Sequence, residues 1–409
     1  MRILWLKTEL LHPVDKGGRI RTYQMLRVLS REHEITYLTL DDGTAALNAV
    51  ELSREYCTDL VRVPFHPPPR GSFAFYAALA ANLISPLPYA IARYRSPAFE
   101  DRLTTLLAER DFDVIVCDFL PPAVNIPEDL QVPSVLFQHN VEAEIWRRHT
   151  EVARNPLQRW YFGLQWRRIQ RFERDACLRF SVVAAVSNQD AAHFRRTYGV
   201  ETSIAIPTGV DIDYFRPEGH GPREERHLLF TGSMDWMPNE DGILFFTEHV
   251  MPLLRHKVPG IRLSVVGRSP TARLIALTDD HDDIIVTGRV PDVRPWLARA
   301  SAAVVPLRVG GGTRLKIYEA MAMECPVIST TIGVEGLTVR PGEHLLIADD
   351  PVGLANACAR LLLDEDRATR IAEAAAHHVR ERFGWDRVTL AFLNICRSAT
   401  LKRFEPAGC

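Results

Sequence analysis

Met1-Arg-Ile-Leu-Trp-Leu-Lys-Thr-Glu-Leu-Leu-His-Pro-Val-Asp-Lys-Gly-Gly-Arg-Ile20 opens the chain and decides its architecture. Ile3–Leu6 is a short apolar run of the kind a fully buried strand requires. A loop with Pro13 and the pair Gly17-Gly18 follows. Apolar positions at Ile20, Tyr23, Met25, Leu26 and Leu29 then fit a helix, and Glu34–Leu40 is a second strand. The unit is strand–loop–helix–strand, with two glycines where loop becomes helix.

The pattern recurs outward from there. Apolar runs at Val114–Cys117, Ser134–Phe137 and Val182–Val186 alternate with helical segments, which predicts a parallel sheet covered on both faces. A second series runs through His227–Thr231, Ile261–Val266, Ile284–Val286, Ala302–Val305 and Pro326–Ser329. Between the two series, the polar, turn-rich Gly219–Arg226 reads as a linker. The expected fold class is therefore α/β with two doubly wound, Rossmann-like domains. The first spans 1–205 and the second 206–385. The helix over 386–409 is able to pack back on the first. Pro64–Arg70 is a proline-rich break before an apolar, aromatic stretch, Phe73–Leu87, read as a helical insertion beside a cleft.

Composition narrows the function classes. With 409 residues the chain exceeds one ordinary core, and its formal net charge of −2 argues against a general nucleic-acid binder. The 7 cysteines include no CxxC pair, so buried thiols in a reducing compartment are expected and a zinc cluster is not. No apolar run reaches the length of a membrane span. These features predict a cytoplasmic protein.

One segment concentrates chemistry: Pro306-Leu-Arg-Val-Gly-Gly-Gly-Thr-Arg-Leu-Lys-Ile-Tyr-Glu-Ala-Met-Ala322. A strand ends at Pro306, Gly310, Gly311 and Gly312 follow, and a helix is expected to begin near Thr313. Glycines let amides approach an anion, and a helix N-terminus adds partial positive charge. Arg314 and Lys316 are placed to reach a diphosphate, and Glu319 to accept hydrogen bonds from both hydroxyls of a ribose. The same residues also read as a plain turn with two solvated cations, and the spacing is not that of a Walker loop.

Weaker candidates lie in the first domain. Gly17, Gly18 and Arg19 follow the first strand, where they either approach a donor phosphate or acceptor sugar or simply punctuate the chain. His139 lies at the C-terminal end of the predicted strand Ser134–Phe137, with Asn140 beside it. Asp118 ends the run Asp113-Val-Ile-Val-Cys-Asp118. Ligands of open α/β sheets bind at such strand ends, so Asp118, Asn140 and Arg19 are assigned to an acceptor and His139 to proton transfer or acceptor orientation. Residues 146–180 hold nine arginines against three acidic residues, with Trp146, Trp160, Tyr161, Phe162 and Trp166 among them. That composition reads either as a basic amphipathic surface for anionic lipid or a phosphate-bearing acceptor, or as a solvated helix with aromatic feet in the core.

Three of these segments together resemble retaining glycosyltransferases of family 4. Ile206-Pro-Thr-Gly-Val-Asp-Ile-Asp-Tyr-Phe-Arg-Pro217 is similar to the family's P-N-G-V-D-x-x-x-F-x-P. Tyr318-Glu-Ala-Met-Ala-Met-Glu-Cys-Pro-Val-Ile328 is similar to L-E-A-M-A-x-G-x-P-V-I. The third is the opening strand with Gly17-Gly18. The resemblance implies the GT-B fold, two Rossmann-like domains facing across a cleft. It also implies a nucleotide-diphosphate sugar as donor substrate, a glycan, lipid-linked or small-molecule acceptor, and no cofactor or metal. By the same resemblance Glu319 binds ribose, Val290 of Gly288-Arg-Val-Pro-Asp292 meets the base through its backbone, and His139 stands near the reacting sugar. Gly311 occupies the position of the family's first glutamate. The family's Arg and Lys are missing from Phe230-Thr-Gly-Ser-Met-Asp-Trp-Met-Pro-Asn239, so Arg314 and Lys316, within a G-G-G-T-R-L-K loop similar to that of polysaccharide-assembly enzymes, are expected to replace them. A sugar-nucleotide 2-epimerase of the same fold and an inactive sugar-nucleotide-binding protein are the alternatives. Membrane contact, if made, is expected through 146–180, at the inner face.

Overall fold

The computed structural model describes residues 1–401 except 16, 70, 154, 218–221 and 310–313. The chain forms two compact units. One comprises residues 1–206 with the chain from Val388 onward; the other is Pro207–Arg387.

The first unit is built on β1 (Arg2–Lys7), β2 (Glu34–Asp41), β3 (Asp59–Pro64), β4 (Val114–Asp118), β5 (Ser134–Gln138), β6 (Val182–Ala185) and β7 (Ser203–Ala205). Among the described residues these form one sheet in the order β3-β2-β1-β4-β5-β6-β7, every pair parallel. Strand order reverses between β1 and β4. Crossovers leaving β1 and β4 turn to opposite sides there, opening a crevice at the strands' C-terminal ends. Central strands bury both faces, which is why they read as unbroken apolar runs. Leu4, Leu6, Ile115 and Leu136 pack into one core cluster. Trp5 and Phe137 meet Phe392 of helix Trp385–Leu401, at centroid distances of 5.5 and 5.0 Å.

The second unit repeats the plan with β8 (His227–Thr231), β9 (Arg262–Val266), β10 (Ile284–Gly288), β11 (Ala302–Val305), β12 (Val327–Ser329) and β13 (Leu346–Ile347). Their order is β10-β9-β8-β11-β12-β13, again parallel, with the reversal between β8 and β11. Alternation along the strands is visible in the packing. Leu228, Phe230, Leu263, Val265 and Val304 join one cluster, while Leu229, Val266, Ala303 and Val305 join another on the opposite face. Each unit is thus a doubly wound, Rossmann-like α/β domain, as expected.

Some local readings change. Helix Gly17–Leu29 begins at the glycine pair. The helix expected near Thr313 is described from Leu315 to Ala322, with Arg314 as its N-cap residue. The apolar insertion is a helix over Phe73–Asn82, capped by Ser72, whose Oγ accepts from the amide of Phe75.

Candidate functional site

In the first unit, chemistry gathers where β1 and β4 part. Lys7 is the last residue of β1 and Asp118 the last of β4, and both are buried. Lys7 Nζ lies 2.7 Å from Asp118 Oδ2. The same oxygen accepts from Thr22 Oγ1 at 2.6 Å and Trp5 Nε1 at 3.0 Å. The other carboxylate oxygen, Oδ1, faces His139 Nε2 at 2.8 Å. A charge taken out of water needs such a set of partners. Burial alone would raise the Asp118 carboxyl, but Lys7 and His139 overcome it and hold the group well below its ordinary range.

The consequence falls on His139. Burial pushes its imidazole down to about 4, and Lys7 and Arg21 add to the lowering while Asp118 opposes it. At neutral pH the ring is uncharged. Asp118 is ionised and can only accept, so the proton of His139 sits on Nε2, and Nδ1 presents a lone pair. Nδ1 is buried, and among the described residues it has no hydrogen-bond partner. Phe119 lies parallel to the imidazole, with ring centroids 3.7 Å apart.

That stacking depends on the glycine pair. Phe119 has φ 73°, a strained backbone for a bulky residue, directly after Asp118. A Cβ on Gly18 would meet Phe119 Cζ at 2.7 Å. Gly18, at the start of helix Gly17–Leu29, thus admits the Phe119 ring. The acceptor assignments divide accordingly. Asp118 is fully buried with both oxygens occupied, so it positions His139 and has no face for an acceptor. Arg19 is engaged by Glu9 through Nε at 2.9 Å and by the Pro13 carbonyl at 3.2 Å, which ties down the loop 9–15. Asn140 is half-buried beside Glu142.

The second unit has its own cluster where β8 and β11 part. Lys316 Nζ donates to Asn239 Oδ1 at 2.8 Å and stands 4.1 Å from the centroid of the Phe230 ring. A Cβ on Gly232, just past β8, would lie 2.8 Å from Lys316 Nζ and 2.7 Å from Asn239 Nδ2, so the lysine occupies space that only glycine leaves. Burial and the neighbouring Arg314 push Lys316 down to about 7. Glu319, one turn along helix Leu315–Ala322, is pushed up to about 7 by burial, with Lys316 opposing. Among the described residues no donor hydrogen-bonds the Glu319 carboxylate. Arg314 is buried, and its Nη2 donates to the Ile332 carbonyl at 3.3 Å, so it acts beside Lys316 as a fixed charge rather than a solvated cation. Gly311, Gly312 and Thr313 lie outside the described residues. Val290 is half-buried against the core on the turn after Gly288, whose φ is 70°.

Two family models cover most of the chain: "Glycosyltransferase Family 4" over residues 16–214 and "Glycosyl transferases group 1" over residues 225–364. The chain belongs to the GT-B glycosyltransferases. Relatives of the chain include a GDP-mannose-dependent alpha-(1-6)-phosphatidylinositol monomannoside mannosyltransferase of Mycobacterium tuberculosis, 27% identical over 53% of the chain. The chain spans 61% of that relative's length. A phosphatidyl-myo-inositol mannosyltransferase of Mycobacterium leprae is 26% identical over 82% of the chain and 87% of the relative. Solved structures share the fold. Sucrose-phosphate synthase from Thermosynechococcus elongatus superposes with a TM-score of 0.73 at 18% identity, covering 98% of this chain and 99% of that one. Anabaena HepE in complex with UDP gives 0.68 at 14% identity, covering 97% and 100%.

Several residues that shape both clusters are not singled out by the sequence. Lys7, Thr22, Trp5 and Phe119 surround Asp118 and His139; Asn239, Phe230 and Gly232 surround Lys316. Lys7 carried a signal, since a lysine ending a buried strand needs a partner. The others are ordinary residue types that acquire a role only through neighbours distant in sequence.

Proposed function

We propose that the chain transfers a sugar, with retention of anomeric configuration, from a nucleoside-diphosphate sugar to a carbohydrate or lipid-linked acceptor. The observation that carries this reading is the pair Lys316 and Glu319 on one helix at the β8–β11 switch point. A desolvated cation stands there one turn from a carboxylate that no described residue hydrogen-bonds. Lys316 then meets the diphosphate and Glu319 the ribose hydroxyls. Negative charge grows on the leaving diphosphate as the glycosidic bond breaks, and a cation in a low-dielectric site stabilises it more than water does. His139, held neutral with Nδ1 unpartnered among the described residues, accepts a hydrogen bond from a sugar hydroxyl. No side-chain base is assigned, because the leaving phosphate itself takes the acceptor proton in this reading.

The mannosyltransferase names of the relatives support GDP-mannose as the first donor to test, with UDP-, ADP- and TDP-sugars beside it. In a thermal-shift screen, a donor at about 100 times its Kd should stabilise by roughly 2.7 kcal/mol. Incubation of the best donor with and without glycolipid acceptor then reads out transfer. Formation of an epimer from donor alone, or donor binding without turnover once acceptor is supplied, overturns the reading.

A further inference from the structure

Helix Phe73–Asn82 and the turn after it lie in a stretch, Gly71–Ala92, with no charged residue. Its inner side is anchored: Phe75 packs edge-on against Tyr89 at 5.9 Å. Its outer side is not covered. Phe73 is 89% exposed, Tyr76 60% and Ile84 92%. Apolar side chains left this open, two of them a turn apart on the helix and the third just past its end, mark an interaction surface.

The C-terminal end of this helix is tied to helix Pro156–Arg179, which lies far from it in sequence. Arg168 donates from Nη1 to the Asn82 carbonyl and from Nη2 to that of Leu83, both at 2.7 Å, which satisfies carbonyls at the helix end. Gln165 Nε2 donates to Asn82 Oδ1 at 3.1 Å, and Gln165 Oε1 accepts from the amide of Tyr89 at 2.8 Å. Trp160, Leu164, Arg167 and Arg171 share one face of the longer helix by spacing. Ile84, Pro86 and Leu164 form the apolar walls of a groove rimmed by Arg167 and Arg171. Arg167, Arg171 and Arg174 are exposed, and among the described residues none has an ion-pair partner.

We propose that this face of the first unit docks on a bilayer containing anionic phospholipid, with Phe73, Tyr76, Ile84 and Trp160 entering the interface and Arg167, Arg171 and Arg174 meeting headgroup phosphates. The juxtaposition is what favours a membrane: apolar groups and guanidiniums that pair with no described carboxylate, Asp175 included, stand side by side, as acyl chains and phosphates do. A chain whose net charge is −2 has no general affinity for polyanions, so the attraction is local. A second copy fits less well, because a self-complementary contact would bring arginine against arginine.

The test is flotation of the full chain with vesicles of phosphatidylcholine alone and with about 30% phosphatidylglycerol. Binding is expected only to the second and should weaken with salt. Arg167→Glu with Arg171→Glu should reduce it by roughly tenfold or more, and Phe73→Ser with Ile84→Ser should abolish what survives high salt. Melting temperature and nucleotide-sugar thermal shifts should stay as in the parent, so loss of docking is separable from failure of the donor reading. Equal binding to both vesicle types, no binding by the parent chain, or retention by both double variants overturns the proposal. So does a dimer in solution that Phe73→Ser with Ile84→Ser dissolves while vesicle binding is absent.

Discussion

The imidazole of His139 lies parallel to the ring of Phe119, 3.7 Å away, while the adjacent Asp118 accepts a hydrogen bond from its Nε2 at 2.8 Å. One residue in a left-handed backbone therefore sets the ring plane, and its predecessor sets the tautomer. His139→Ala removes one acceptor from a sugar hydroxyl and should lower kcat/KM by about tenfold. Nucleoside-diphosphate affinity, assigned to the second unit, should be unchanged in a thermal-shift titration. A parallel loss of donor affinity would remove His139 from the reaction.

Asp118→Asn leaves Lys7 buried without its counter-charge. Breaking a buried pair in this way costs about 3–5 kcal/mol, read as a fall in unfolding free energy. The milder Thr22→Val removes one of the donors to Oδ2 and should cost about 1 kcal/mol. If Thr22→Val also lowers kcat with KM unchanged, the network positions His139 and does not merely stabilise the sheet.

Gly18→Ala places a methyl group 2.7 Å from Phe119 Cζ. Overpacking of this kind costs about 1–3 kcal/mol, and the displaced ring no longer supports His139. Phe119→Leu in the same chain should recover part of that loss. A double-mutant cycle on melting temperature, with a coupling of at least about 0.5 kcal/mol, measures it. Strict additivity would show that Gly18 and Phe119 are independent.

Lys316 and Glu319 both titrate near 7, so donor affinity should pass through a maximum there. Below neutrality Glu319 gains a proton and loses the acceptor capacity proposed for the ribose; above it Lys316 loses the charge proposed to meet the diphosphate. Lys316→Arg should remove the alkaline limb and Glu319→Gln the acid limb, as measured by calorimetry of nucleoside-diphosphate binding across pH. Limbs that stay in place in both variants would assign the dependence elsewhere.

Glu173 caps helix Glu142–Val152 from within the core, accepting from the amides of Glu142 and Ala143 at 2.7 and 3.2 Å and from the Tyr198 hydroxyl at 2.9 Å. Burial, with Glu142 adding to it, pushes its carboxyl up to about 8. The folded state then holds a proton that the unfolded chain releases near its ordinary value, so this contribution to stability is complete below about 4.5 and lost as pH rises through about 8. Glu173→Gln should flatten the slope of melting temperature over that window and, with an amide group facing two helix amides, lower stability by about 1–3 kcal/mol.

The architecture was open to reading because its cause is local. Val114–Cys117, Ser134–Phe137 and Ala302–Val305 are apolar almost throughout, which only strands covered on both faces require, and the helical periods between them force parallel crossovers. Lys316 and Glu319 were also visible, since a helix puts residues three apart on one side. The placement of Arg314 was not. Its burial against the Ile332 carbonyl depends on a loop eighteen residues further on. Nor was the role of Asp118, whose partners come from β1, helix Gly17–Leu29 and the end of β5.

By itself the sequence determined two parallel α/β sheets and the strand ends where chemistry would collect, because periodicity and glycine placement act over a few residues. Tertiary structure alone decided that Lys7, Trp5, Thr22 and Phe119 convert Asp118 and His139 into a neutral, oriented imidazole, and that helix Phe73–Asn82 stands beside the arginines of helix Pro156–Arg179. The physical reason is range. Desolvation and charge pairing are properties of what packs around a group, and here those neighbours lie as far as 113 residues away along the chain.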